Sequence, residues 1–285
     1  GLSPFKSRLE LWYDKVNRTI KEDESSNLLF DIGHALEPVI AKHYSDKTGR
    51  VLENRTIRIH SDYPFMLANI DREIIKSERT TPGILEIKTK GEFVDWNDED
   101  IPPYYNTQIQ HYMAVYGYKW ASFAILDLGS RKITITDVER DDKLIEKIIK
   151  EEKKFWDLVV NKIPPELDNS KSCNEFLKET YKKSEFVTID VSSNEVASAY
   201  AEQLNKVKLE YKKLDSIELE CKNYFMNLMK TAEKIIGINY SITYKSPKEG
   251  VQFNEDKFKL EHSDLYKQYL IPKIGSRRFT FKYKE

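Results

Sequence analysis

GILEIKTKGEF, residues Gly83 to Phe93, is the stretch whose reading decides the fold. Its apolar half reads as a buried β-strand. Side chains alternate across a strand, so Ile84, Glu86 and Lys88 share one face while Leu85, Ile87 and Thr89 occupy the other. An acid and a lysine on one face of an apolar strand need a reason. An unpaired buried charge is costly, and a Glu–Lys pair in a core is often no better than two hydrophobes. Taken by itself, the strand reads as a sheet edge with that face in solvent.

The segment before it changes that reading. In PFMLANIDREII (64–75), Phe65, Leu67, Asn69 and Asp71 alternate onto one face, so an apolar strand turns acidic opposite the strand carrying Glu86 and Lys88. Asp71 followed by Glu86-Ile87-Lys88 fits D-x(n)-(D/E)-x-K, in which two carboxylates on adjacent strands hold a hard cation through oxygen. The carbonyl of Ile87 adds another oxygen. Lys88 is then placed to orient or deprotonate a water, or to stabilise charge on a phosphate.

Two helical stretches add to the group. In NLLFDIGHALEPVIAKHY (27–44), Gly33, Glu37, Ile40 and Tyr44 fall on one stripe, so Glu37 projects from the face that packs on the sheet. Pro38 follows inside the helix, where it removes a donor and favours a kink. Glu37, Asp71 and Glu86 together repel one another unless a cation joins them. In YYNTQIQHYM (104–113), Gln108 and Tyr112 stand four apart on one helix face, an amide and a phenol suited to phosphate oxygens or bound water. His111 beside them reads as structural rather than as a ligand.

The rest of the chain supplies the frame. A helix from Asn27 to about Asp46, capped by Ser25 or Ser26, precedes strand-like runs at 51–59 and 65–75. IPPYYNTQIQHYMAVYG has prolines at a helix start and glycine at its end. WASFAILDL and KITITDV are two more strands, followed by a helix from about Asp141 to Asn161. This order predicts a mixed α/β core over 1–165. Beyond KIPPELDNSKS, residues 166–285 read as a mostly helical extension. Ser192-x-x-Glu195 resembles a capping box for a long polar helix reaching toward Ile236, expected to pack as an amphipathic helix of this half. The closing GSRRFTFKYKE is strand-like and basic, with Arg277 and Arg278 expected at the surface.

Composition narrows the class. The 285 residues carry 46 Lys and Arg against 47 Asp and Glu, a net charge of -1, so a nucleic-acid partner must be held by a local basic surface. Cys173 and Cys221 are far apart without a metal-binding spacing, which excludes a disulfide framework, a zinc site and an iron–sulfur cluster. No stretch approaches the ~20 apolar residues of a membrane span, and no signal-peptide pattern opens the chain, so a cytoplasmic protein without a membrane partner is expected. The chain starts without methionine, as a fragment or processed chain does.

GHALEP, ANID, LEIKTK and TQIQHYM, in that order, resemble the PD-(D/E)xK nuclease superfamily, and within it the YqaJ-like viral recombinases related to phage lambda exonuclease. The opening GLSPFKSRLELWYDKV and the closing GSRRF resemble that family too. The resemblance implies a PD-(D/E)xK core: a central mixed sheet flanked by helices, followed by the helical extension. It implies that Glu37, Asp71, Glu86 and the Ile87 carbonyl bind magnesium or manganese. Glu86, Asp71, Lys88 and Gln108 would serve catalysis, and Asn69, Tyr112 and Lys90 would contact DNA. It further implies 5′-to-3′ digestion of linear duplex DNA by a homo-oligomeric ring, phage- or prophage-encoded in a bacterial host, with a single-strand annealing protein as partner. A restriction-type endonuclease and a non-catalytic DNA-binding relative stay open at this point.

Overall fold

The computed structural model describes residues 5–17, 28–91, 101–247, 250–272, 275 and 277–283, without the side chains of Leu29 and Phe30. The chain divides into two compact units, Gly1–Thr180 and Tyr181–Glu285. The expected boundary at 165/166 therefore falls inside the first unit. Helix α5 (Lys171–Thr180) stays with α1 (Arg8–Asn17), because Phe176 packs on Tyr13 and the Ser172 hydroxyl accepts from the Ser7 amide.

The core of the first unit is a five-stranded sheet in the order β1-β4-β5-β6-β7. Its strands are β1 (Val51–Glu53), β4 (Arg72–Lys76), β5 (Gly83–Lys90), β6 (Trp120–Asp127) and β7 (Lys132–Glu139). Only β5 and β6 run parallel; the other pairs are antiparallel. A parallel neighbour needs a crossover, and α3 (Pro103–Tyr116) supplies it. Pro102 precedes its first turn, and Gly117 closes it at φ 72°, in the left-handed region. Helix α4 (Asp142–Val160) starts where Asp141 accepts the Leu144 amide at 3.0 Å.

Alternation along the strands sorts the core into two layers. Ile84 on β5 and Ala121, Phe123 and Ile125 on β6 pack with Ile109 and Met113 of α3. Leu85, Ile87, Trp120 and Ala124 point the other way, onto Ile40, Ala41 and Tyr44 of α2 (Leu28–Thr48). The stripe read from the sequence of α2 is the face that packs on the sheet, and the helix continues through Pro38. Its proposed serine caps lie outside the described residues. Each fully buried aliphatic side chain here contributes about 1.5–3 kcal/mol.

The two strand-like runs are each broken. Val51 to Ile59 gives β1 and the short β2 (Arg58–Ile59), and 65–75 gives β3 (Leu67–Ala68) and β4. β2 and β3 form a separate two-stranded ladder. The buried set in this region is Met66, Ala68 and Ile70, whereas Leu67 and Asn69 are exposed. Leu67 and Asn69 of the expected face therefore point outward, while Phe65 packs at the margin of the core against Trp156, and Asp71 reaches the interior from the break before β4.

At the start of β6 the Trp120 indole donates to the Thr81 carbonyl at 3.1 Å. The guanidiniums of Arg50 and Arg79 lie 4.8 and 4.5 Å from its ring centre, within cation–π range. Arg50 also donates to both Asp137 oxygens, at 2.9 and 2.7 Å, and to the Tyr44 phenol at 2.6 Å. Arg79 pairs with Glu139 at 2.5 Å. This cluster ties β7 to the turn after α2 and to the loop between β4 and β5.

The second unit holds α6 (Glu195–Met229), the hairpin β8 (Lys234–Ile236) and β9 (Ser241–Thr243), and the short helices α7 (Glu255–Glu261) and α8 (Ser263–Gln268). Asn194, not Ser192, caps α6 by accepting the Ala197 amide at 3.0 Å. The helix stops at Met229 because the chain turns into the hairpin, and 234–236 is strand rather than helix. The described residues of the basic tail form no strand. Arg277 donates to the Tyr181 carbonyl at 2.9 Å, and both Arg277 and Arg278 are exposed. Expected packing of the long helix is not seen: α6 is exposed along almost its whole length, with Met229 alone buried. Cys173 is buried and Cys221 exposed, both as free thiols. No helix among the described residues is long and apolar enough to cross a membrane.

Gly83 is the tightest point of the sheet. A Cβ there would stand 2.5 and 2.6 Å from Cε2 and Cζ2 of the Trp120 ring, which its neighbours hold in place. Gly83→Ala should therefore destabilise the first unit by about 1–3 kcal/mol, read as a lowered denaturant midpoint.

Candidate active site

β4 leaves β5 early. Their ladder ends with Arg72 opposite Leu85, so the amide of Ile87 has no strand partner on that side. The Asp71 carboxylate replaces one, accepting the Ile87 N–H through Oδ2 at 2.6 Å. The gap that opens beside Glu86–Lys90 is where the acidic residues meet.

β5 is flanked by β4 and β6 and covered on both faces, so the solvated-edge reading of Glu86 is wrong. Glu86 is 3% exposed. Its Oε1 accepts from the Lys88 ammonium at 2.7 Å, and its Oε2 is buried without a hydrogen-bond partner. Burial, followed by the negative charge of Asp71 and Glu37, pushes its carboxyl up to about 7 against the pull of Lys88. Asp71 is raised too, first by burial and then by Glu37, while the Ile87 amide and Lys88 oppose the shift. Glu37 meets Arg72 at 2.5 Å, and the same guanidinium donates to the Asp71 carbonyl. The three acids are therefore balanced by two cations of the chain itself.

From the α3 side, the Lys88 ammonium sits 4.8 Å from the centre of the Tyr105 ring. Burial, Tyr104 and Glu86 push the Tyr105 phenol up to about 12, so it stays protonated. Gln108 donates to the Tyr112 phenol at 2.9 Å. Tyr112 is raised by burial and then by the charge of Glu86, which places the pair within the field of the acids. Gln108 and Tyr112 also line a cavity of about 560 Å³ bounded by α1, α3 and α4. His111 is structural: Nδ1 meets Glu152 at 2.7 Å and Nε2 meets the Leu67 carbonyl at 3.1 Å.

The structure brings together Glu37, Asp71, Glu86, Lys88 and Tyr112, with Gln108 joined through Tyr112. It does not present Lys90 to a ligand, since that side chain is buried and paired with Asp127 at 3.4 Å. Asn69 is exposed. Arg72 and Tyr105 are the residues that sequence reasoning missed. Arg72 adjoins Asp71, but its pairing with Glu37 spans two elements. The Tyr104-Tyr105 doublet in the first turn of α3 was the available signal for an aromatic wall.

Among the described residues no three His, Cys, Asp or Glu side chains are arranged to hold a metal ion. Glu37 is drawn to Arg72, Asp71 to the Ile87 amide and Glu86 to Lys88. The donor chemistry nevertheless suits a hard cation: the available groups are carboxylate oxygens, and Glu86 Oε2 is buried without a partner.

Residues 1–119 match the family model of the YqaJ-like viral recombinase domain, and 126–279 match a family described as protein of unknown function (DUF3386). The uncharacterized protein YqaJ of Bacillus subtilis (strain 168) is 34% identical over 292 residues, spanning 99% of this chain and 88% of that protein. An alkaline exonuclease (LHK-Exo) from Laribacter hongkongensis is 24% identical, with a TM-score of 0.46 over 61% of this chain and 82% of its own. A phage related exonuclease from Haemophilus somnus 129PT is 17% identical, with a TM-score of 0.42 over 55% and 82%. On the strength of the family model and the near full-length relative, this chain belongs to the YqaJ-like viral recombinase domain family.

Proposed function

We propose that the chain is a metal-dependent deoxyribonuclease that digests linear duplex DNA from its ends, 5′ to 3′, and leaves 3′ single strands for an annealing protein in recombination. One observation carries this reading: in a recombinase-family chain, a buried Glu86 carboxylate with a partnerless oxygen stands beside Lys88 and shares its electrostatic field with Asp71 and Glu37. A stability role alone does not account for a carboxylate left in that state.

The chain's own residues define what each group does. Lys88, fixed between the Glu86 carboxylate and the Tyr105 ring, would meet a phosphate oxygen or an attacking water with its side-chain nitrogen. Asp71 accepts the Ile87 amide, and the Ile87 carbonyl, on the same side of the strand as its own N–H, points to the edge that β4 has left. The Gln108 amide and Tyr112 phenol orient the phosphate or its water from the α3 side. Glu37, Asp71, Glu86 and the Ile87 carbonyl would hold magnesium or manganese, which supplies Lewis-acid charge at the scissile phosphate. For that, Glu37 must leave Arg72, which is then freed to meet DNA. A ring of such chains would need basic residues only along its channel, consistent with a net charge of -1.

Linear duplex labelled separately at its 5′ and 3′ termini, beside a closed circle, tests the activity and its polarity. Loss of the 5′ label with magnesium, none with chelator, and an intact circle are expected; cleavage of the circle would instead mark an endonuclease. Glu86→Ala and Lys88→Ala should each lower the rate at least a thousandfold while keeping a cooperative unfolding transition.

Two further outcomes separate the roles of the acids. Magnesium at millimolar concentration should raise the thermal midpoint of the unaltered chain but not of Glu86→Ala. Asp71→Ala should lose activity and also about 1–3 kcal/mol of stability, because the Ile87 amide is left unpaired. Asp71→Asn, which keeps an acceptor, should recover the stability in chemical denaturation without recovering the rate.

A further inference from the structure

Helix α6 is 35 residues long, about 52 Å at 1.5 Å per residue, and its middle residues 211–224 are all exposed. An isolated helix so exposed should be polar all round, yet this one carries a seven-residue repeat. In one set of positions, spaced by seven, stand Ala197, Leu204, Tyr211, Glu218 and Phe225. Three residues after each stand Tyr200, Val207, Leu214, Cys221 and Leu228. Apolar residues alternating four and three apart, sustained beyond three or four heptads, are the seam of a coiled coil. Tyr200, Tyr211, Leu214 and Leu228 on this seam are each more than half exposed.

We propose that α6 pairs with α6 of a second copy of this chain as an antiparallel two-stranded coiled coil. Charge selects both the occupant and the direction. Residues 206–213 carry Lys206, Lys208, Lys212 and Lys213 against Glu210 alone, whereas 215–222 carry Asp215, Glu218 and Glu220 against Lys222 alone. A basic segment followed by an acidic one is complementary to its own reverse. A parallel pair would set Glu218 against the partner's Glu218 in the seam and Glu210 against the partner's Asp215 beside it.

Antiparallel registers seven residues apart all alternate the two sets of positions, but only one sets Lys208 beside the partner's Asp215; a shift of seven either way sets Lys208 against the partner's Lys208 or Lys222. In that one register Tyr211 faces the partner's Leu214, Leu204 faces the partner's Cys221, and Tyr200 faces the partner's Phe225. Glu218 faces the partner's Val207, next to the partner's Lys208, and remains bridged to Lys222 of its own helix at 2.5 Å. Lys208 falls beside the partner's Asp215. Its ammonium donates to the Phe281 carbonyl at 3.4 Å and lies 5.0 Å from the centre of the Phe281 ring, and the partner's Asp215 would compete for it with these contacts. The pairing is two-fold and self-complementary, and it is independent of whether the first unit cuts DNA.

Disulfide trapping in the full chain reads both contact and direction. With a mild thiol oxidant, Leu204→Cys should cross-link to the partner's Cys221 and run at twice the chain mass without reductant. The unaltered chain, with Cys221 alone on the seam, should not cross-link, nor should Leu204→Cys combined with Cys221→Ser. Adding Leu214→Lys, at an exposed position that folding does not need, should cut the Leu204→Cys yield at least tenfold. Cross-linking of the unaltered chain through Cys221 would mean a parallel pair and overturn the proposal. So would the absence of cross-linking in Leu204→Cys at tens of micromolar, or a yield indifferent to Leu214→Lys.

Discussion

The candidate site depends on a ladder that stops short. β4 pairs with β5 only from Arg72 to Ile74, so the second half of β5 keeps β6 on one side and loses its strand neighbour on the other. A buried amide at such a point must find an acceptor, and Asp71 provides it from the residue just before β4. One carboxylate thus ends the ladder, holds the gap open and lies in the electrostatic field of Glu86. Were β4 two residues longer at that end, the backbone would fill the space and Glu86 would have no opening to face.

Charge balance follows from this gap. Glu86 cannot reach solvent, so its pairing with Lys88 and the approach of Asp71 and Glu37 decide its protonation. Arg72 and Lys88 compensate the acids without closing the Glu86 carboxylate into a complete hydrogen-bonded network. A network left one partner short is poor for stability and well suited to taking up a ligand.

Much of this was legible because it is local or periodic. The alternation of β5, the proline and glycine that bound α3, the Asp141 start of α4 and the inward stripe of α2 all follow from rules acting over a few residues. Glu37, Asp71, Glu86 and Lys88 stood out because charge was misplaced within apolar patterns. What was not legible depends on tertiary context. The break between β3 and β4 reverses which of residues 66–70 face inward, and its turn-prone Asn69 and Asp71 read instead as the polar end of one continuous strand. Lys90 looked free until β6 set Asp127 beside it, and Arg72 was paired by a helix more than thirty positions earlier. For α6, Ser192 read as the cap, and the chain's path puts Asn194 there instead. The family resemblance pointed to Glu37, Asp71 and Glu86 through several motifs in order; for residues 166–285 it rested on the closing GSRRF alone.

The Trp120 cluster has a mechanical consequence. Trp120 opens β6 beside the first residues of β5, at the opposite end of these two parallel strands from Lys88 and Lys90. There Arg50, Arg79, Asp137 and Glu139 bind four segments around one indole, while the other end of β5 has lost a strand. The sheet is like a book held at its spine: it parts most easily at the free edge and is held shut at the binding.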